Sequence, residues 1–116
     1  MKKILIVEDT EMNIDLLTQL LEDDYELLVA RDGAAGVAMS KQRPDLILMD
    51  ISLPVMDGYA ATRNIRESQL SMPIIGLSAH AMPGDAERAR DAGCTDYMTK
   101  PIDEDLLLKK LKDYLG

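Results

Sequence analysis

The sequence predicts one α/β domain: a doubly wound, five-stranded parallel sheet in the order 2-1-3-4-5, with helices on both faces. Three observations predict it. Five short apolar runs alternate with five helical patterns, the alternation that βαβ units with right-handed crossovers produce. The runs are apolar at consecutive positions rather than at every second one, as strands covered on both faces must be. The unit recurs about every 23 residues, so the 116 residues hold five units and fall far short of an eight-stranded barrel.

Each element has a local reason. Ile4-Leu5-Ile6-Val7 is a run of β-formers suited to a central strand. Met12, Leu16, Leu17, Leu20 and Leu21 follow at spacings that predict one helical face, with Thr10 as N-cap. Glu26 to Ala30 reads as the second strand. It leads through Asp32 into a helix of small residues ending near Arg43-Pro44. Leu46-Ile47-Leu48-Met49 is the third strand; a loop with Pro54 and Gly58 follows, then a helix to about Ser68. Pro73 precedes the fourth run, Ile74-Ile75-Gly76-Leu77, and a short helix runs from roughly Gly84 to Ala92 with Gly93 as its stop. Asp96 to Thr99 is a weak fifth strand. Past Pro101, a last helix spans Asp103 to Leu115, with Leu107, Leu108, Leu111 and Leu115 expected inside and Leu106 outside.

Composition narrows the function classes. A chain of this length buries roughly two-thirds of its unfolded surface and needs no disulfide or metal staple. Residues 1–116 therefore read as one domain. No apolar run exceeds four residues, and Met1-Lys2-Lys3 leads into neither a membrane span nor a signal peptide. With the lone Cys94, this gives the expectation of a cytoplasmic protein. A net charge of −8 opposes binding to a phosphate backbone, so nucleic acid is not an expected partner. Phe and Trp are absent, and eight methionines are expected to fill gaps in an aliphatic core.

The chemistry lies in what ends each run. The first ends in Glu8-Asp9, the third in Asp50, the fourth in Ser78 and the fifth in Lys100. In a parallel sheet these ends share one edge, where ligands bind at the reversal of strand order. Capping would explain any one of these residues; all five at central strand ends would be several coincidences. Three carboxylates about 5 Å apart repel by ~3 kcal/mol per pair at an effective dielectric constant of ~20. Lys100 offsets part of that. An all-oxygen donor set without His or Cys favours Mg²⁺ over Zn²⁺ for the rest. A metal, an ammonium and a hydroxyl aimed at one volume suit a phosphoryl group, with a carboxylate as nucleophile.

Glu8-Asp9, Leu48-Met49-Asp50-Ile51-Ser52-Leu53-Pro54 with Asp57-Gly58, Ser78-Ala79, and Tyr97-Met98-Thr99-Lys100-Pro101 together resemble the CheY-like receiver domain of two-component response regulators. The resemblance runs from Lys3 to Leu115 and implies a flavodoxin-like (βα)5 fold. It implies that Asp50 is the phosphoacceptor that attacks a phosphohistidine. Asp9 and Asp50 would ligate Mg²⁺ through side chains, Ser52 through its backbone carbonyl and Glu8 mainly through water; Mn²⁺ could substitute. Lys100, Ser78 and Ala79 would bind the phosphoryl group, and the Lys100–Pro101 bond would be cis. Ser78 and Tyr97 would act as the switch, Tyr97 turning from an exposed to a buried rotamer. Ser52 and His80 occupy positions that tune loss of the phosphoryl group. The chemistry implied is self-catalysed transfer and autodephosphorylation rather than turnover of an external substrate. The implied partners are a histidine kinase or phosphotransfer domain and a downstream protein, with a monomer or weak phosphorylation-dependent dimer as the oligomeric expectation.

Glu8-Asp9-Thr10-Glu11-Met12-Asn13 and Ala79-His80-Ala81-Met82-Pro83-Gly84-Asp85 look most like stand-alone, DivK-like single-domain regulators and the receiver domains of hybrid histidine kinases. Because the chain opens at the first strand and stops after the last helix, a stand-alone protein is expected over an excised domain. A phosphohydrolase with an aspartate nucleophile would need a second Asp where Ser52 stands. A pseudo-receiver would usually lack one of the five key residues. His80 reads as a loop residue rather than a base, Cys94 as packing, and Lys109, Lys110 and Lys112 as a solvated face near a helix C-terminus. The output surface is expected at Tyr97, Leu106 and the exposed side of the Asp85–Ala92 helix.

Overall fold

In the computed structural model, residues 1–79 and 82–116 are described. Ten elements alternate: β1 (Lys3–Val7), α1 (Glu11–Leu21), β2 (Glu26–Ala30), α2 (Gly33–Ser40), β3 (Leu46–Asp50), α3 (Gly58–Glu67), β4 (Ile74–Ser78), α4 (Asp85–Ala92), β5 (Asp96–Thr99) and α5 (Glu104–Leu115). The five strands form one parallel sheet in the order β2-β1-β3-β4-β5, as the alternation predicts.

The period-two alternation of each strand sorts its side chains into two cores. Ile4 and Ile6 of β1, with Leu46 and Leu48 of β3, meet Leu17 and Leu21 of α1 and Leu107 and Leu111 of α5. Leu5, Val7, Ile47 and Met49 face the other way, onto Ala61 and Ile65 of α3 and Ala89 and Ala92 of α4. Every residue of β3 and β4 is buried, whereas the edge strand β2 is only partly covered.

Three helices start on an aspartate cap. The side chain of Asp32 accepts from Ala35 N, that of Asp57 from Ala60 N and that of Asp103 from Leu106 N, each satisfying a donor the helix cannot. Gly93 ends α4 at φ +115°, as its position after Ala92 predicts.

Several sequence expectations are corrected. Helix α1 buries Ile14, Leu17 and Leu21, while Met12 is 78% and Leu16 40% exposed. The stripe follows spacings of three and four from Ile14, and that phase turns Met12 and Leu16 outward. Helix α5 buries Leu107 and Leu111 and packs Leu115 against the core, leaving Leu108 at the solvent margin beside an exposed Leu106. Thr10 sits at the N-cap position of α1, but its side chain makes no capping bond. The methionines are not uniformly core: Met49 and Met98 are buried, Met12 and Met82 exposed. Lys110 is not simply solvated, since its Nζ lies 2.7 Å from Asp96 Oδ2.

Candidate functional site

β1, β3 and β5 bring their polar ends to one place. Glu8 follows β1 and is 1% exposed; Asp50 closes β3 and is 3% exposed. The Glu8 carboxylate is held at three points, and the Glu8 backbone at a fourth. Its Oε2 accepts from Asp9 N (3.0 Å) and Thr10 N (3.1 Å), its Oε1 accepts from Lys100 Nζ (2.9 Å), and its own N–H donates to Ala30 O (2.9 Å). Asp50 Oδ1 accepts from Ser52 N (3.1 Å) and lies 3.4 Å from Lys100 Nζ. Lys100 is placed from β4 as well: its N–H donates to Ser78 O at 2.6 Å. The Lys100–Pro101 peptide is cis.

Asp9 is exposed, yet one carboxylate oxygen from each of Glu8, Asp9 and Asp50 falls within a 4.8 Å cluster. One hard divalent cation can span such a cluster, and its all-oxygen composition fits Mg²⁺. The loop beneath Asp50 leaves no space to spare. Gly58 donates its N–H to Ile51 O at 2.9 Å, and a Cβ there would stand 2.2 Å from Asp50 O. Only glycine permits that approach.

The two buried carboxyls are driven in opposite directions. Burial pushes Asp50 up, the adjacent Glu8 pushes it further, and Lys100 and the Ser52 N–H pull back only in part, leaving it raised from 3.8 to about 6. Burial also opposes ionisation of Glu8, but the Lys100 ammonium and the Thr10 N–H outweigh it and hold this carboxyl below its ordinary value. Lys100 loses hydration on burial and regains more from Glu8 and Asp50, so it is held above its ordinary value and stays charged.

The remaining sequence candidates divide. Ser52 is exposed just after β3, and Ser78 is buried at the end of β4. Both line a cavity of about 170 Å³ together with Ile51, Tyr59, Met82, Asp85 and Arg88. Ala79 is exposed at the start of the loop that follows β4. His80 lies outside the described residues. Tyr97 is half-buried on β5 and packs against the core beside α4, and Leu106 is exposed on α5. Sequence reasoning missed two features. The guanidinium of Arg88 (α4) stacks 4.8 Å from the centre of the Tyr59 ring (α3). Asp96, beside Tyr97, accepts from both Lys110 (2.7 Å) and Tyr114 (2.9 Å) of α5. Neither contact falls at a spacing that a helix or strand pattern reveals, and only the opposite charges of Asp96 and Lys110 hinted at either.

Comparison with known proteins bears on this geometry. The family described as response regulator receiver domain matches residues 4–112. The polar-differentiation response regulator DivK of Brucella anthropi is 40% identical, over 99% of this chain and 97% of its own. Among solved structures, the receiver domain of the sensor histidine kinase PA1611 from Pseudomonas aeruginosa, with a magnesium ion coordinated in its active site cleft, is 39% identical. It superposes with a TM-score of 0.91, covering 99% of this chain and 98% of that one. The receiver domain of Saccharomyces cerevisiae Ssk1, solved with the histidine phosphotransfer protein Ypd1, is 31% identical at a TM-score of 0.91, covering 97% and 88% of the two chains.

Proposed function

The chain belongs to the response regulator receiver domain family, and on that premise we propose that it is a cytoplasmic, DivK-like single-domain regulator that takes a phosphoryl group from a phosphohistidine onto Asp50. The observation that carries this reading is the placement of Asp50: a carboxylate 3% exposed, 3.4 Å from an ammonium and clustered with two further carboxylates at the carboxyl edge of the sheet. A structural aspartate has no need of that company. The 40% identity to DivK over 97% of its length supports the DivK-like reading.

In the proposed reaction an Asp50 carboxylate oxygen attacks phosphorus. The P–N bond breaks, its electron pair stays on the imidazole nitrogen, and that nitrogen takes a proton. The product is an acyl phosphate, which water later hydrolyses to free carboxylate and inorganic phosphate. Glu8, Asp9 and Asp50, with the Ser52 carbonyl, would hold Mg²⁺, or Mn²⁺ in its place, and the ion would neutralise the phosphoryl oxygens and the attacking carboxylate. Lys100 supplies a fixed positive charge, anchored by Glu8. Ser78 and the Ala79 backbone take the phosphoryl oxygens, and Ser52 and His80 tune how long the group stays. The chain promotes its own modification and turns over no external substrate.

A histidine kinase or phosphotransfer domain would dock on α1, where Met12 and Leu16 stand exposed one turn apart beside Asp9. The downstream protein, or a second copy in a weak phosphorylation-dependent dimer, would read Tyr97, Leu106 and the outer side of α4. Incubation with acetyl phosphate and Mg²⁺ followed by intact-mass measurement tests the central claim. One phosphoryl group is expected on the wild type and none on Asp50→Asn; equal gain by both disproves the assignment.

A further inference from the structure

Arg88 is the wall between two cavities of about 170 Å³. One, toward the sheet edge, is lined by Ser52, Ser78, Asp85, Tyr59 and Arg88. The other opens between α3 and α4 and is lined by Asp57, Tyr59, Arg63, Arg88 and Asp91. The Arg88 guanidinium rests on the Tyr59 ring at 4.8 Å. No ion pair within 4.0 Å engages it among the described residues, although carboxylates line both cavities. Tyr59 itself is 8% exposed and cannot follow the cation if the cation leaves.

This is a charge stored on a weak contact, because the guanidinium belongs to an exposed residue, and a cation–π contact at an exposed site is held only lightly. We propose that Arg88 is a second cation for the phosphoryl group: it rests on Tyr59 while Asp50 is bare and swings into the Ser52–Ser78 cavity when Asp50 carries a phosphoryl dianion. The inference rests on Asp50 being the phosphoacceptor. Ser52 follows Asp50 by two residues and donates its N–H to that carboxylate, so a group on Asp50 adds charge at the rim of the cavity Arg88 already lines. An arginine suits the task, since its planar fork of donors matches phosphoryl oxygens as well as aromatic faces. The excursion joins α4 to the state of β3, which gives the output face a lever separate from the Ser78–Tyr97 pair.

The test uses beryllofluoride, a stable phosphoryl mimic, with Mg²⁺ and the full chain. Arg88 is exposed, so Arg88→Gln leaves the fold and Mg²⁺ affinity unchanged. Its beryllofluoride affinity should fall by about five-fold, the upper range for one solvent-accessible ion pair. Arg88→Lys should recover the part of the loss that charge alone supplies, and high salt should shrink the gap between wild type and Arg88→Gln. In NMR spectra of the wild type, the Arg88 side-chain signals should lose their Tyr59 ring-current shift when beryllofluoride binds. Equal affinity for wild type and Arg88→Gln, or Arg88 signals that stay on the ring, overturns the proposal for Arg88 alone. A wild type that binds no beryllofluoride overturns the assignment of Asp50 and this inference with it.

Discussion

Replacing Asp50 by asparagine should make the metal-free protein more stable, although it removes the residue on which the proposed chemistry depends. The magnitude follows from the site. Burial and the neighbouring Glu8 raise the Asp50 carboxyl from 3.8 to about 6 despite Lys100. At pH 7 the ionised form is thus disfavoured in the fold by about 3 kcal/mol relative to the unfolded chain, at ~1.4 kcal/mol for each tenfold change. An asparagine has the same shape, and its Oδ1 can keep the bond from Ser52 N. Desolvating the new amide returns part of the gain, so the expected net is about 2 kcal/mol, or roughly 8 °C in a domain of this size. The sign reverses the usual carboxylate case. With a folded value above the unfolded one, wild type regains the lost stability as pH falls from about 6 to about 4. The advantage of Asp50→Asn should therefore be full at pH 7 and gone by about pH 4. Thermal melts of both proteins in EDTA across that range decide it. A variant no more stable than wild type at pH 7, or an advantage that persists at pH 4, refutes the account of the site as strained by buried like charge.

Three further outcomes are expected. Millimolar Mg²⁺ should raise the melting midpoint of wild type as RT ln(1 + [Mg²⁺]/Kd) requires, Asp9→Asn should melt higher than wild type in EDTA, and calorimetry with and without chelator measures both. Leu106→Glu should leave the melt and Asp50 phosphorylation within error of wild type, because Leu106 is 42% exposed, while weakening dimerisation or partner capture; sedimentation of the phosphorylated protein reports it.

What could be read from the chain was what topology enforces. Parallel strands force Glu8, Asp50, Ser78 and Lys100 to one edge whatever the side chains do afterwards, so their convergence follows from the order of apolar runs. Helix phase was legible only where apolar residues were few. α1 offers Ile14, Leu16, Leu17, Leu20 and Leu21, enough to draw more than one stripe, and the wrong one included Met12. α5 posed the same problem at Leu107 and Leu108. The division of labour between the two buried acids lay beyond reach. Glu8 is the fixed anion because it collects two N–H donors and the Lys100 ammonium, a matter of 3 Å distances that spacing does not contain.

The ion pair that anchors the site joins residues 92 positions apart. A chain still being synthesised therefore holds Glu8, Asp9 and Asp50 long before it holds their counter-charge, and a product that stops short of β5 never acquires it. If Lys100 serves the proposed transfer, competence would arrive only with the last βα unit. On the proposed reading, a phosphoryl group on Asp50 would mark a finished molecule, and clipping of the segment that carries Lys100 would silence the protein without touching Asp50.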